Sequence, residues 1–434
     1  MQMQGSEARD LLRRMFDAAI QSAHPAHCLA AHLPARPNGR IIIVGAGKAA
    51  AAMAQAVESA WPDTARKGKG KGKADGLAVV PYGSALPTKN IEIRQAAHPV
   101  PDHKSVAAAR RIMELVRELT EDDLVLVLLS GGGSALLSLP GTGLELSDKQ
   151  TVTERLLRCG APIDEINCVR KHLSAIKGGR LAAAAFPARL CALAISDVPG
   201  DDPAVIASGP TVADPTSAED AKRILKAHKI DVADRVSAFL NSPAAETPKP
   251  EDPCFGLTTF QLIARPRDAL NAAARIAQAA GYQPVILGDA LEGEARHVAR
   301  DMAAQALKRQ TEGRRCVLLS GGEVTVTGAS GVSPGGPNRE LALALAMALD
   351  GASGISALIA DTDGQDGFCQ PNQPIAGAVI DPSTMRRAVQ CGLDSTALLN
   401  AHRSGDFFRV LGDDVVTGPT HTNVNDFRAI LISN

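Results

Sequence analysis

The chain has 434 residues, 45% hydrophobic and 21% charged, with 46 Lys plus Arg against 47 Asp plus Glu for a net charge of -1. At roughly 150 residues per domain this is two or three domains with room for sizeable cores, and a nearly neutral chain has no field that draws it to nucleic acid or anionic lipid. Aromatic content of 3% leaves little for base stacking, no apolar run approaches the ~18 residues of a membrane span, and the eight Cys lack the C-x-x-C pairs of a zinc site, so reduced thiols in a cytoplasm are expected.

The opening MQMQGSEARDLLRRMFDAAI has charges early and no apolar run of the kind a secretory signal needs. Its Leu11, Leu12, Met15, Phe16, Ala19 and Ile20 mark an amphipathic helix. Short apolar runs that stop at clusters of Gly, Ser or Asp predict strands at 41–44, 77–81, 124–129, 191–195, 258–263, 284–287, 316–319 and 357–360. Helices are predicted between most of them, at 48–60, 104–119, 269–280 and 339–349. Ser147 to Gln150 has the S-x-x-Q form of a capping box, with Gly160 as the stop of the helix that follows. This alternation predicts two α/β domains with mainly parallel, Rossmann-like sheets and an interdomain cleft. The text NSPAAETPKPEDPCF, with four prolines and no periodicity, reads as a linker over 241–256, dividing an N-terminal domain (1–240) from a C-terminal one (257–434). The alternating RKGKGKGK of 66–73 predicts a solvated surface loop.

Chemistry-bearing residues gather where the predicted strands end. After the first strand, Gly45-Ala46-Gly47-Lys48 opens an Ala-rich helix, an arrangement that aims amide hydrogens and a helix dipole at an anion, with Lys48 adding a full charge. The turn also satisfies the loose dinucleotide pattern G-x-G-x-x-A, but the acid that should end the second strand is replaced by Pro81, Tyr82 and Gly83. The same glycines would equally serve a turn that packs a helix on a strand. Gly131, Gly132, Gly133 and Ser134 follow another strand, and three adjacent glycines imply a close backbone approach to phosphate or carboxylate, or a tight turn. Asp197, Asp201 and Asp202, then Asp361, Asp363 and Asp366, then Asp426 lie on further strand-end loops suited to magnesium, and also to Asx turns and helix caps. Gly335, Gly336 and Pro337 lead to Asn338 and Arg339 at a helix start, a poor place for a cation unless an anion compensates; a phosphate is one candidate, an ion pair with Glu340 or Glu323 the other. The basic set Arg170, Lys171, His172, Lys177 and Arg180 lines the same cleft or a solvated face. Glycine cradles, well-placed cations and Asp-bearing loops, with no Ser-His-Asp order, are the kit of phosphoryl transfer, which rests on positioning and charge neutralisation.

In order along 6–430, the motifs VGAGKAAAAMA, AHPVPD, LLSGGGSALL, NCVRKHLSAIKGGRLA, SDVPGDDPAVIASGPT, LLSGGEVTVT, GGPNRELALA, DTDGQDG and TGPTHTNVND resemble the glycerate 2-kinases of the MOFRL type. The resemblance implies transfer of the ATP γ-phosphate to the 2-hydroxyl of D-glycerate with Mg2+, on two α/β domains. It makes Lys48 and Arg339 the catalytic cations, acting from opposite sides of the cleft. Asp197, helped by Asp363 or Asp366, would hold magnesium or orient the substrate hydroxyl. Gly45, Gly47, Gly131, Gly132, Gly133, Ser134, Gly335, Gly336 and Asn338 would bind nucleotide or substrate. Two other readings stay open: an NAD(P)H-dependent hydroxypyruvate reductase, a label members of this family have carried, and a noncatalytic sensor of sugar acids or nucleotides. The expected partners are small molecules, with no nucleic acid and no membrane; a homo-oligomer is compatible with the sequence.

Overall fold

In the computed structural model the described residues are 5–62, 74–328, 334–367 and 374–433; the Gly/Lys stretch of 66–73 lies outside them. The chain divides into two compact units, Pro25–Ile263 and Met1–His24 together with Ala264–Asn434.

In Pro25–Ile263 six strands make one sheet, whose central members are continuous apolar runs covered on both faces, as parallel sheets require. The six are β1 (Ile41–Ala46), β2 (Ala74–Pro81), β3 (Ile91–Ala96), β4 (Leu124–Leu129), β5 (Arg189–Ile195) and β6 (Thr258–Ala264), in the order β3-β2-β1-β4-β5-β6. Strands β1 to β5 pair in parallel. IIIVGA and LVLVLL, the two central strands, are wholly buried. Strand order reverses between β1 and β4, the switch point at whose carboxyl edge doubly wound sheets bind ligands. Ala46 stands opposite Leu129, so the two following glycine-rich turns begin side by side. The Ala-rich helix Ala50–Ala60 packs on β1, β2 and β4.

The other unit holds β7 (Gln283–Gly288), β8 (Gly293–Glu294), β9 (Cys316–Ser320), β10 (Val324–Thr325), β11 (Ile355–Asp361), β12 (Gly377–Ile380), β13 (Asp414–Val415) and β14 (Asp426–Ile432). β8 and β10 form a separate small pair; the rest make one sheet in the order β13-β12-β11-β14-β9-β7. Here β7 pairs with β9 in parallel, but β9–β14, β14–β11, β11–β12 and β12–β13 are antiparallel. The expected parallel character therefore belongs to the first sheet and gives way to a mixed one in the second. An apolar run carries no sign of its direction; the connections that precede it decide that.

Two boundaries differ from the sequence expectation. Segment 241–256 lies inside Pro25–Ile263, where Ala245, Thr247 and Cys254 are buried and Arg180 donates to the carbonyls of Ala244, Ala245 and Glu246. Its prolines remove amide donors without preventing packing, so it is an ordered approach to β6. The helix Gly5–Ala23 belongs with the C-terminal unit: Phe16 lies 5.4 Å from Phe427, ring to ring, and Arg9 bridges Asp381 and Asp413 at 2.6 and 2.7 Å. The capping box of helix Leu146–Arg158 is also shifted, being built from Glu145 and Asp148, while Gly160 stands just past its end as expected.

Candidate functional site

At the β1/β4 edge the two turns are bonded to each other. The Gly47 amide donates to Val79 O (3.1 Å), that of Lys48 to Gly131 O (2.8 Å) and that of Ala49 to Ser130 Oγ (3.0 Å). This corrects the reading of Gly45 and Gly47 as an anion cradle, because the amides that would meet a phosphate are spent inside the protein. Gly47 is required for the close approach: at φ +134° a Cβ there would lie 2.2 Å from Ser130 Oγ. What the turn presents is the half-buried Lys48 at the head of helix Ala50–Ala60.

The neighbouring turn keeps more of its donors. Gly133 N bonds Ser130 O, but the amides of Gly131 and Gly132 donate to no backbone acceptor among the described residues. Gly132, at φ +80°, lets the imidazole of His98 lie against the turn. Ser134 Oγ sits 2.7 Å from Ser208 Oγ, and Lys177 Nζ donates to Ser134 O (2.8 Å), Ser134 Oγ (3.3 Å) and Ala207 O (3.2 Å). Ser208 also donates to Asn167 Oδ1 at 3.4 Å. Ala207 and Ser208 both take positive φ, 52° and 60°. Two adjacent non-glycine residues in that region cost of order 1–3 kcal/mol each and concentrate at functional positions. Asp197, half-buried, follows β5 at the same edge.

Beside this turn lies a cavity of about 690 Å³, walled by Gly132, Ser134, Lys149, Arg170 and Lys177 with the apolar side chains of Val100 and Leu157. Lys177 is 2% exposed, and burial, with repulsion from Lys149 and Arg170, holds its ammonium well below the usual lysine range. Lys149 is 6% exposed and its Nζ has no hydrogen-bond partner among the described residues; burial, then Arg180 and Arg170, bring its pKa down to about 7. Sequence reasoning named Arg170 and Lys177 but missed Lys149, Ser208 and Asn167. The first looks like any polar residue of an amphipathic helix, and the other two reach the site only through folding.

In the C-terminal unit the helix Pro337–Leu349 begins at Gly336, and its first amides are capped by Asp366: Asn338 N at 2.9 Å and Arg339 N at 3.0 Å. The Arg339 side chain, 1% exposed, pairs with the same carboxylate through Nε at 3.0 Å and donates from Nη2 to Asp366 O at 2.8 Å. The anion that offsets a cation at this helix start is thus Asp366, neither an open phosphate site nor Glu340 or Glu323. Asp366 is accordingly removed from the metal set, since its oxygens are taken by amides and guanidinium in a closed interior. Burial still pushes its carboxyl up against the pull of Arg339. The network continues: Asn338 Nδ2 donates to Asp426 Oδ1 (2.6 Å), Asp426 pairs with Arg428 (2.6 Å), and Arg428 bonds the carbonyls of Gly321 and Gly322 (3.0 Å each). A Cβ at Gly336 would meet Asp366 Oδ1 at 2.4 Å and one at Gly335 Ser404 Oγ at 2.6 Å, so both glycines and Asn338 build this start. Asp363 is half-buried and accepts from Gln365 N at 2.7 Å, an Asx turn. Among the described residues no group of three or more His, Cys, Asp or Glu is arranged to hold a metal ion, and none of their helices is long and apolar enough to cross a membrane.

The unit Pro25–Ile263 belongs to the doubly wound α/β class, in which ligands meet the carboxyl ends of the strands at the switch point. Residues 11–241 match the family described as a domain of unknown function, DUF4147, and residues 316–426 match the MOFRL family. Among relatives, a protein of Agrobacterium vitis provisionally named hydroxypyruvate reductase is 51% identical over 98% of this chain and 94% of its own. The D-glycerate 2-kinase of Thermotoga maritima is 38% identical over 94% of both. The crystal structure of a glycerate kinase from Thermotoga maritima superposes with a TM-score of 0.86 at 36% identity, covering 98% of this chain and all of that one. The chain belongs to the MOFRL-type glycerate kinase family.

Proposed function

We propose that the protein phosphorylates D-glycerate at the 2-hydroxyl with ATP, giving 2-phosphoglycerate and ADP. The observation that carries this is the likeness to a D-glycerate 2-kinase over 94% of both chains. The geometry at the β1/β4 edge supports it. Lys48 provides a cation, and the Gly131 and Gly132 amides provide donors for a phosphate or for the glycerate carboxylate. A reductase built on the dinucleotide motif is disfavoured, because the amides of Gly47, Lys48 and Ala49 are engaged and β2 ends in Pro81 with no acid after it.

Charge neutralisation on the transferred phosphoryl group is assigned to Lys48; Arg339 is held by Asp366 within its own unit. Magnesium suits a site with one carboxylate and several phosphate oxygens, a demand that the described residues can satisfy without a three-ligand cage. Asp197 would hold it, and Asp363 is the second candidate. When bound, the metal supplies charge neutralisation on the phosphate oxygens. Without that role, Asp197 orients the 2-hydroxyl and accepts its proton. A cytoplasmic location accords with free thiols at Cys28, Cys159, Cys168, Cys191, Cys254, Cys316 and Cys391.

The test is an assay with D-glycerate, ATP and magnesium read for ADP, run beside one with hydroxypyruvate and NADH read for NADH loss. ADP formation that requires glycerate is expected; NADH oxidation without ADP formation would replace the kinase reading with the reductase.

A further inference from the structure

The cavity beside the Gly131–Ser134 turn has a charge imbalance that nothing in its own wall repairs. Lys149, Arg170 and Lys177 line it, whereas the carboxylate on its rim, Glu154, is exposed and paired with Arg158 at 2.7 Å. Lys177 spends its ammonium on carbonyl and hydroxyl oxygens of 134 and 207, which satisfies its hydrogens without cancelling its charge. Lys149 has not even that: its buried Nζ has no hydrogen-bond partner among the described residues, and its side chain is part of the cavity wall. Burying an uncompensated ammonium is unfavourable, so a lysine held there at 6% exposure opposes stability. By contrast the larger cavity, of about 1020 Å³, is lined by charges of both signs, among them Asp102, Arg110, Glu114 and Arg117, and carries no such imbalance.

We propose that the Lys149–Arg170–Lys177 cavity is an oxyanion site, Lys149 being the principal partner of a carboxylate or phosphate group that enters it. Resting on the kinase reading, this gives the site one of two occupants, the carboxylate of the hydroxy-acid acceptor or a phosphate of the nucleotide. Gln150 and Thr153, on the same helix as Lys149, line the cavity too and offer neutral groups for the hydroxyls of such a ligand. Ser134 links the cavity to the glycine turn, since its hydroxyl is both a Lys177 acceptor and a neighbour of Ser208.

The experiment compares the full-length protein with Lys149→Met and Lys149→Arg. Calorimetric titrations use D-glycerate, ADP and inorganic phosphate, and steady-state KM values are measured for D-glycerate and for ATP. The expected result is at least tenfold weaker phosphate binding in Lys149→Met, with Lys149→Arg retaining most of it. A KM for D-glycerate raised at least tenfold, with that for ATP within twofold, identifies the carboxylate as occupant; the reverse pattern identifies a nucleotide phosphate. If wild-type protein makes ADP from glycerate and Lys149→Met shifts no anion affinity and neither KM, the proposal is overturned while the kinase reading stands. If wild-type protein makes no ADP, yet phosphate binds and Lys149→Met abolishes that binding, the kinase reading fails and the oxyanion site survives. Melting curves of both variants guard against misfolding, and Lys149→Met is expected to melt no lower than wild type, since it removes a buried charge.

Discussion

Each unit buries positive charge, and the two do so in opposite ways. Around Arg339 and Arg428 every buried guanidinium faces a carboxylate, Asp366 or Asp426, within 3.0 Å, and the surrounding carbonyls and amides complete the network. Around Lys149 and Lys177 the described residues offer the ammonium groups only neutral oxygens and other cations, among them Arg170 and Arg180. Both arrangements carry a desolvation penalty; the first offsets it internally and the second leaves it to whatever enters. The comparison teaches that a buried cation marks a ligand site only when the chain withholds its counter-charge.

The largest expected effect breaks the compensated side. Arg339→Ala or Asp366→Ala should each cost about 3–5 kcal/mol in urea unfolding, because either leaves an orphaned buried charge. The double variant Arg339→Met/Asp366→Leu should recover most of that loss, and a single variant costing under about 1 kcal/mol would show that the pair is not the internal balance described. Next comes Lys48→Ala, which should slow ADP formation at least about 100-fold with unchanged melting; a near-normal rate would remove Lys48 from the mechanism. Gly47→Ala should then destabilise by about 2 kcal/mol, since its Cβ meets Ser130 Oγ at 2.2 Å in a backbone region that alanine resists. Thermal denaturation reads this directly.

The smallest effect sharpens the uncompensated side and depends on pH. Lys149 has its folded pKa lowered to about 7 by burial, so between pH 7 and 10.5 the unfolded chain holds a proton that the folded chain has released. Stability should therefore rise with pH across that window, and the burial penalty should be fully felt below pH 7. Lys149→Met removes the penalty. It should be more stable than wild type by at least about 1 kcal/mol near pH 6.5, with the gap closing toward pH 10. Chemical denaturation at the two pH values checks it; a gap that stayed constant would mean that Lys149 does not titrate as its burial requires.

Much of this was legible before folding. Strands β1 and β4 end where their apolar runs meet glycine, and the two turns that follow do stand together. Strands β3, β12 and β14 escaped notice for distinct reasons. IEIRQA of β3 is half polar and GAVI of β12 is short, while DFRAILI of β14 hides a wholly buried arginine that reads as a surface residue. The site residues divide in the same manner: Lys48 and Ser134 were visible from their turns, but Lys149 was not.

The hydrophobic period, the glycine punctuation and the motif order are properties of neighbours along the chain, and from them the sequence alone determined the α/β class, most strands and the family resemblance. Pairings across the fold are not local properties. Only the tertiary structure decided that the amides of Gly47, Lys48 and Ala49 are spent on Val79, Gly131 and Ser130, that Arg339 finds its anion 27 residues on in Asp366, and that Lys149 finds none among the described residues. A charge declares its type in the sequence, but its free energy depends on what the fold brings within about 4 Å of it and on how much water it excludes.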